Sequence, residues 1–105
     1  MKKNEIWWVE LPKPIGRMPV LLLSRDVAYK VRNAVTVAEI TTKIRNIPVE
    51  VLLDKRDGMP KKCAINLDTI ITIRKSALIS KITVISSTQI KAVDEAICFA
   101  LDIKV

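Results

Sequence analysis

The sequence predicts an α+β protein that is mostly β: a small curled or barrel-like antiparallel sheet with a C-terminal helix packed against it. Two observations support this class. Six or seven short runs of β-branched and apolar residues are separated by turn residues, and the one long helical pattern comes last. Half of the 105 residues are hydrophobic, which is enough for one core. We therefore expect residues 1–105 to form a single domain.

The first two strands are predicted on either side of a proline-rich loop. Glu5–Leu11 carries apolar side chains on both faces, so we expect burial on both sides. Prolines and a glycine break the chain at residues 12–16. The second strand follows at residues 18–24, and a loop or short helical turn at residues 26–33.

A third strand, starting at residue 36, is followed by a basic loop at residues 43–47 and a fourth strand at residues 49–53. Regular alternation places three polar side chains on one side of the sheet: Glu39, Thr41 and Lys43. A carboxylate, a hydroxyl and a cation then meet at the strand end, an arrangement able to hold and attack a phosphodiester. The alternative is a solvated strand end with an ordinary basic loop.

A polar turn at residues 54–62 precedes two more predicted strands, at residues 63–68 and 69–74. Alternation places Asp68 at the end of the first of these, on its polar face. Its carboxylate serves either a functional site or the turn between the two strands. A single helical turn at residues 75–78 and a last strand at residues 81–85 follow.

The long C-terminal helix is predicted to begin after Ser86, with Gln89 three residues later completing a capping box. Its apolar residues recur at helical spacing: Ile90, Val93, Ala96, Ile97, Ala100 and Leu101. This stripe is typical of a helix that packs on a core, and no chemistry is assigned to it.

The composition narrows the chemistry that this chain can perform. It contains no histidine and only two cysteines, which argues against a zinc site, histidine-assisted nucleophiles and two-histidine ribonuclease chemistry. No cofactor or metal is expected. The net charge of +7 favours a polyanionic partner. No signal peptide or membrane-spanning run is found, so the expected location is the cytoplasm, without a membrane partner.

Several segments resemble the MazF/PemK toxins in the right order along nearly the whole chain: EIWWVEL, PVLLLSRD, ITTKIRNIPVEV, DGMPKKCAINLDTIITI and VDEAICFAL. The resemblance implies a homodimeric, SH3-like barrel of the CcdB/MazF type. It implies the toxin of a type II toxin–antitoxin pair, with an acidic antitoxin as its partner. Such toxins cut single-stranded mRNA at short sequences without the ribosome or a metal. They leave 2′,3′-cyclic phosphate and 5′-hydroxyl ends.

The resemblance also implies roles for individual residues. The family's strand-end threonine matches Thr41, which positions the phosphate, and its later aspartate matches Asp68, implicated in proton transfer. The family's catalytic arginine stands directly before the second-strand proline, and here that position is Met18. Arg17, one residue earlier, becomes the clamp for the charged phosphorane. An RNA groove is then expected to include Arg25, Lys43 and Arg45 beside Met18.

This chain departs from the family's pattern at further basic positions, now occupied by Asn66 and Ile71. Four interpretations therefore stay open. The chain is an active ribonuclease using Arg17, Arg25 or Arg45 as its clamp, or a weakened or inactive homologue that binds RNA and antitoxin. The third is a toxin of the same fold that binds a protein such as DNA gyrase. A barrel-type RNA-binding module without a reaction is the remaining alternative.

Overall fold

The computed structural model describes residues 1–104 and contains six strands, two α-helices and two 3-10 turns. The strands are β1 (Glu5–Leu11), β2 (Gly16–Leu22), β3 (Ala34–Thr41), β4 (Glu50–Leu53), β5 (Cys63–Arg74) and β6 (Leu78–Val84). The helices are α1 (Ala28–Val31) and α2 (Ser87–Ala100), and the 3-10 turns are Lys55–Asp57 and Lys75–Ala77. The strands pair antiparallel in the order β4-β5-β3-β2-β1-β6. The predicted mostly β fold with a C-terminal helix is thus confirmed.

Side chains of the central strands alternate between the two faces of the sheet. Both faces are buried, because each one packs in its own apolar cluster. On one face, Ile6 and Leu21 belong to a core that α2 covers with Val93. On the other face, Val9 and Val20 pack in a second cluster. The prediction that β1 is buried on both sides is confirmed, and the two faces explain why so small a chain is half hydrophobic.

The prediction of separate strands at residues 63–68 and 69–74 is wrong, because Cys63–Arg74 is one strand. The register of its pairing with β3 shifts at one point. Ala38 lies opposite Ile70, but the next residue of β3, Glu39, lies opposite Asn66. Residues 67–69 therefore have no partner on β3. This bulge bends the strand without a turn, so the first half of β5 also pairs with β4.

Other predicted boundaries shift by a few residues. The last strand begins at Leu78, three residues earlier than predicted, because the Lys75–Ala77 turn leads directly into pairing of Leu78 with Val9. The capping box of α2 is confirmed: the Ser86 hydroxyl accepts from the Gln89 backbone N–H, and the Gln89 side chain accepts from the Ser86 backbone N–H. Within residues 1–104, no helix is long and apolar enough to cross a membrane.

A buried carboxylate, Glu5, joins β1, the N-terminal segment and β6. It accepts hydrogen bonds from the backbone N–H of Lys2 and the indole N–H of Trp7, each at 3.0 Å, and pairs with Lys81 Nζ at 3.2 Å. Burial alone raises the pKa of Glu5, but these hydrogen bonds and the charge of Lys81 outweigh it and leave the pKa below its ordinary value.

We expect Glu5→Gln to lower the free energy of unfolding at pH 7 by about 1–3 kcal/mol, because charge-assisted hydrogen bonds are lost. A lowered pKa stabilises the fold above the ordinary value of 4.5, and this contribution disappears as the pH falls through the folded-state pKa. Urea unfolding at pH 7 and pH 3.5 should therefore show the difference shrinking in acid. The exposed Glu10→Gln variant is the matched control, and a pH-independent Glu5 difference would contradict the expectation.

Candidate functional site

Two adjoining cavities open where β2 begins and β3 ends. The first, called the Trp8 cavity, has a volume of about 420 Å³. Its lining is Trp8, Arg17, Met18, Pro19, Ile40, Thr41, Thr42, Met59, Pro60, Lys61 and Cys63. The second, called the Arg45 cavity, has a volume of about 280 Å³. Its lining is Met18, Glu39, Ile40, Thr41, Lys43, Arg45, Asn66 and Thr69.

Strand pairing brings these residues together. Because Val20 lies opposite Glu39 in an antiparallel pair, the start of β2 and the end of β3 share one edge of the sheet. Met18 and Thr41 line both cavities and therefore form their common wall. An extended ligand across this wall can contact both cavities at once.

Thr41 is held in a defined orientation at this wall. Its Oγ1 accepts a hydrogen bond from the backbone N–H of Lys43 at 3.0 Å, which is a short turn of the Ser/Thr type. The hydroxyl is partly buried, and its own proton remains available for donation. Thr41 can therefore donate to an anionic oxygen in either cavity.

The two cavities are strongly cationic. Their four cations and one carboxylate are Arg17, Lys61, Lys43, Arg45 and Glu39. Within residues 1–104, ion pairs join only Arg56 to Asp54, Lys81 to Glu5 and Lys104 to Asp102. The charged groups of the cavities are thus free to meet a ligand, and the charge balance suits an anionic one.

Neighbouring positions on β2 point to opposite faces. The partly buried Met18 packs against the cluster that contains Val9 and Val20. The Arg17 guanidinium carbon lies 5.1 Å from the centroid of the Trp8 ring, in the Trp8 cavity that Thr41 also lines. Arg17 and Thr41 therefore line the same cavity.

Glu39, Thr41 and Lys43, which were predicted to lie on one side of the sheet, all line the Arg45 cavity together with Arg45. Two other candidate residues lie elsewhere. Arg25 is exposed beyond the opposite end of β2 and lines neither cavity. Asp68 is also exposed and outside both cavities. Their predicted roles in RNA contact and proton transfer stay predictions.

The bulge of β5 explains where Asp68 lies. Its backbone N–H donates to Asn66 Oδ1 at 2.9 Å, which fixes the bend of the strand. Asn66 itself is buried and lines the Arg45 cavity. The side-chain amide of Asn66 therefore belongs to a residue that lines the Arg45 cavity, whereas the carboxylate of Asp68 does not.

Sequence reasoning missed Glu50, whose carboxylate shapes the basic loop. One oxygen accepts from the backbone N–H groups of Arg45 and Asn46 at 3.0 and 2.8 Å, and the other lies 3.3 Å from the Arg45 nitrogen. Asn46 adopts a left-handed φ of 55°, a conformation that asparagine tolerates better than most residues. The only sign of this role in the sequence is an acidic residue just after a basic loop. An acidic residue at the solvent-exposed start of a strand gives the same pattern, so the hydrogen bonds could not be predicted.

We expect Glu50→Ala to increase the hydrogen-exchange rates of the Arg45 and Asn46 amides by about ten- to a hundredfold. Losing an acceptor shared by two N–H groups removes roughly 1–3 kcal/mol of local stability. Glu50→Gln should retain part of the protection, because its amide oxygen still accepts. Unchanged exchange in Glu50→Ala, measured by NMR, would show that the carboxylate does not order the loop.

Across the part of the chain that the structure describes, no three His, Cys, Asp or Glu side chains cluster as a metal site requires. Cys63 lines the Trp8 cavity but is buried, and burial raises the pKa of its thiol. Hydrogen-bond donors and positive charge are what Thr41, Arg17 and the cavities' lysines supply.

Comparisons with known proteins find similar chains over nearly the whole length of this one. The chain resembles a probable endoribonuclease, MazF5, of Mycobacterium tuberculosis, with 35% identity over 104 residues, 98% of this chain and 91% of that relative. Endoribonuclease EndoA of Bacillus subtilis is 30% identical over 109 residues, 96% of this chain and 94% of that relative. Among solved structures, Mycobacterium tuberculosis toxin MazF-mt6 matches with a TM-score of 0.88 and 32% identity, covering 96% and 99% of the two chains.

The family comparison spans almost the whole sequence. The model of the family described as PemK-like, MazF-like toxin of type II toxin-antitoxin system matches residues 2–101. The chain therefore belongs to the family of PemK-like, MazF-like toxins of type II toxin–antitoxin systems.

Proposed function

We propose that this chain is a toxin that cleaves single-stranded RNA and leaves 2′,3′-cyclic phosphate and 5′-hydroxyl ends. The observation that carries the proposal is the oriented Thr41 hydroxyl on the wall between two cationic cavities. The matched relatives that are named endoribonucleases support it. The net charge of +7 supports a polyanionic substrate, with binding that weakens as salt rises.

The proposed reaction uses the 2′-hydroxyl of the RNA as the nucleophile, so the protein needs no nucleophile of its own. As the 2′-oxygen bonds to phosphorus, the bond from phosphorus to the 5′-oxygen breaks, and water supplies the proton that makes the leaving group a 5′-hydroxyl. Thr41 donates its hydroxyl proton to a phosphate oxygen and orients the phosphate for in-line attack. The Arg17 guanidinium stabilises the extra negative charge of the phosphorane, since it stays charged and can grip two oxygens. Lys43 and Arg45 bind neighbouring phosphates and supply affinity without base specificity.

Proton transfer from the 2′-hydroxyl needs a base near Thr41. The resemblance assigns this role to Asp68, which lies outside both cavities. Glu39 lies inside the Arg45 cavity with Thr41, and its side chain makes no hydrogen bond or ion pair within residues 1–104. We therefore place Glu39 in the role of base, because a base must reach the proton that it removes.

The partners follow from the same proposal. A type II toxin has a cognate antitoxin, and the cationic cavities favour an acidic, partly disordered antitoxin segment that folds across them. We also propose a homodimer, because large apolar side chains of β6 and the C-terminal region are exposed: Ile79, Val84, Phe99, Leu101 and Ile103. The proposed location is the cytoplasm, where mRNA is available, with residues 1–105 acting as one toxin domain.

The decisive experiment incubates a long mixed-sequence RNA with the purified chain in the presence of EDTA, beside a Met18→Arg variant. We expect the unsubstituted chain to cut at a short motif and to leave 5′-hydroxyl ends that polynucleotide kinase labels directly. Cleavage by Met18→Arg alone would indicate a weakened homologue with an intact scaffold. If neither protein cuts, the ribonuclease proposal fails, and gyrase binding or RNA binding without a reaction replaces it.

A further inference from the structure

The side chains of Arg17 and Trp8 form a contact that the register of the β1–β2 hairpin creates. Trp8 lies opposite Pro19, and Glu10 lies opposite Arg17. Arg17 is therefore the diagonal neighbour of Trp8 on one face of the sheet, a separation that long and aromatic side chains can span. The guanidinium carbon accordingly lies over the indole, 5.1 Å from its centroid.

This indole is the only specific partner of the Arg17 side chain among residues 1–104. Glu10 lies directly across the strand pair, yet the described ion pairs do not include it. No hydrogen bond from the guanidinium is present in the same range, and the residue is exposed. Without Trp8, this long side chain would sample many rotamers in water.

We propose that Trp8 is a positioning residue that holds the Arg17 guanidinium beside Thr41. A cation over an aromatic face is stabilised by the ring's quadrupole, and its N–H edges remain free to donate to an anion. Stacking on Trp8 thus restricts the orientation of the Arg17 guanidinium and leaves its N–H groups free to donate to the phosphate. This inference rests on the proposed RNA cleavage, because it explains how an arginine at position 17 serves that reaction.

The test combines Trp8→Leu and Trp8→Phe with Arg17→Ala. If Trp8 acts through Arg17, Trp8→Leu lowers kcat about tenfold, with little change in KM, because one ordered charge contact is lost. Trp8→Phe, which keeps an aromatic face, should stay within about threefold of the unsubstituted chain. In the Arg17→Ala background, Trp8→Leu should cause no further loss.

An independent readout follows Arg17 itself. We expect ¹⁵N relaxation of the Arg17 Nε–H group to report an ordered side chain in the unsubstituted protein and a mobile one in Trp8→Leu. The matched control is Trp7→Leu, on the opposite face of β1, where the indole donates to Glu5. This control should lower thermal stability and leave kcat and Arg17 mobility unchanged.

Three outcomes would overturn the inference while leaving RNA cleavage in place. Arg17 could stay ordered in Trp8→Leu, or kcat could be unaffected by that change. The third outcome is a further tenfold loss in the Arg17→Ala background, which would mean that Trp8 contacts the RNA directly, for example by stacking on a base. If the unsubstituted chain does not cut RNA at all, the proposed function fails, and the role of Trp8 fails with it.

Discussion

Arg17→Ala is expected to lower kcat/KM for RNA cleavage by about 100- to 1000-fold without unfolding the protein. The phosphorane carries more negative charge than the ground-state phosphate, so a cation aimed at it contributes mainly in the transition state. Removing one such donor costs about 3–4 kcal/mol in comparable sites. Arg17 is exposed and makes no ion pair within the described residues 1–104, so the fold should lose little. Single-turnover cleavage of a labelled RNA measures the effect.

Arg32→Ala is the matched control for this experiment. It removes the same charge from the opposite end of β3, where the Arg32 Nε only donates to a backbone carbonyl. We expect a small loss of affinity, from weaker long-range attraction, and no loss of kcat. Equal effects of the two substitutions would mean that Arg17 contributes general positive charge and is not the clamp.

The second large effect is expected for Glu39→Gln. A positioned general base typically contributes 10²- to 10⁴-fold, so we expect cleavage to slow by about a hundredfold or more. The amide keeps the size of the side chain and loses its ability to take the 2′-hydroxyl proton.

Asp68→Asn is the comparison that decides between the two carboxylates. We expect this variant to cut within about threefold of the unsubstituted rate, because Asp68 is exposed and outside both cavities. If Asp68→Asn stops cleavage and Glu39→Gln does not, proton transfer belongs to Asp68, as the family resemblance implies. The bulge of β5 would then have to move when RNA binds.

The family and the general fold could be predicted because local patterns agree with the whole structure. PVLLLSRD and ITTKIRNIPVEV carry the family resemblance, and the match of the family model over residues 2–101 confirms it. Alternation in Glu5–Leu11 is strong enough to indicate burial on both faces, which the two apolar clusters confirm. Ser86 and Gln89 mark the start of α2 through their own hydrogen bonds.

What the sequence did not predict depends on contacts between distant segments. Asp68 and Thr69 form a polar pair between two apolar runs, which resembles a turn. Only the pairing of β5 with both β3 and β4 shows that the chain bends there without turning. The stacking of Arg17 on Trp8 likewise depends on the register that places Trp8 opposite Pro19.

The basic loop illustrates the same limit within the site. Periodicity could place Glu39, Thr41 and Lys43 on one side because they belong to one strand. The position of Arg45 depends instead on a carboxylate five residues later that accepts its backbone N–H. Nothing in the spacing of these residues distinguishes this hydrogen bond from a solvated charge pair.

The order of strands in the sheet has a consequence for synthesis on the ribosome. β5 lies between β4 and β3, so β4 has no partner in the sheet until residues 63–66 have been made. Before then β1, β2 and β3 can pair as a meander, but β4, which begins at Glu50, has no neighbouring strand with which to pair. Because Glu50 accepts hydrogen bonds from the backbone N–H groups of Arg45 and Asn46, the loop that carries Arg45 should stay unordered in the nascent chain until the first half of β5 has been made.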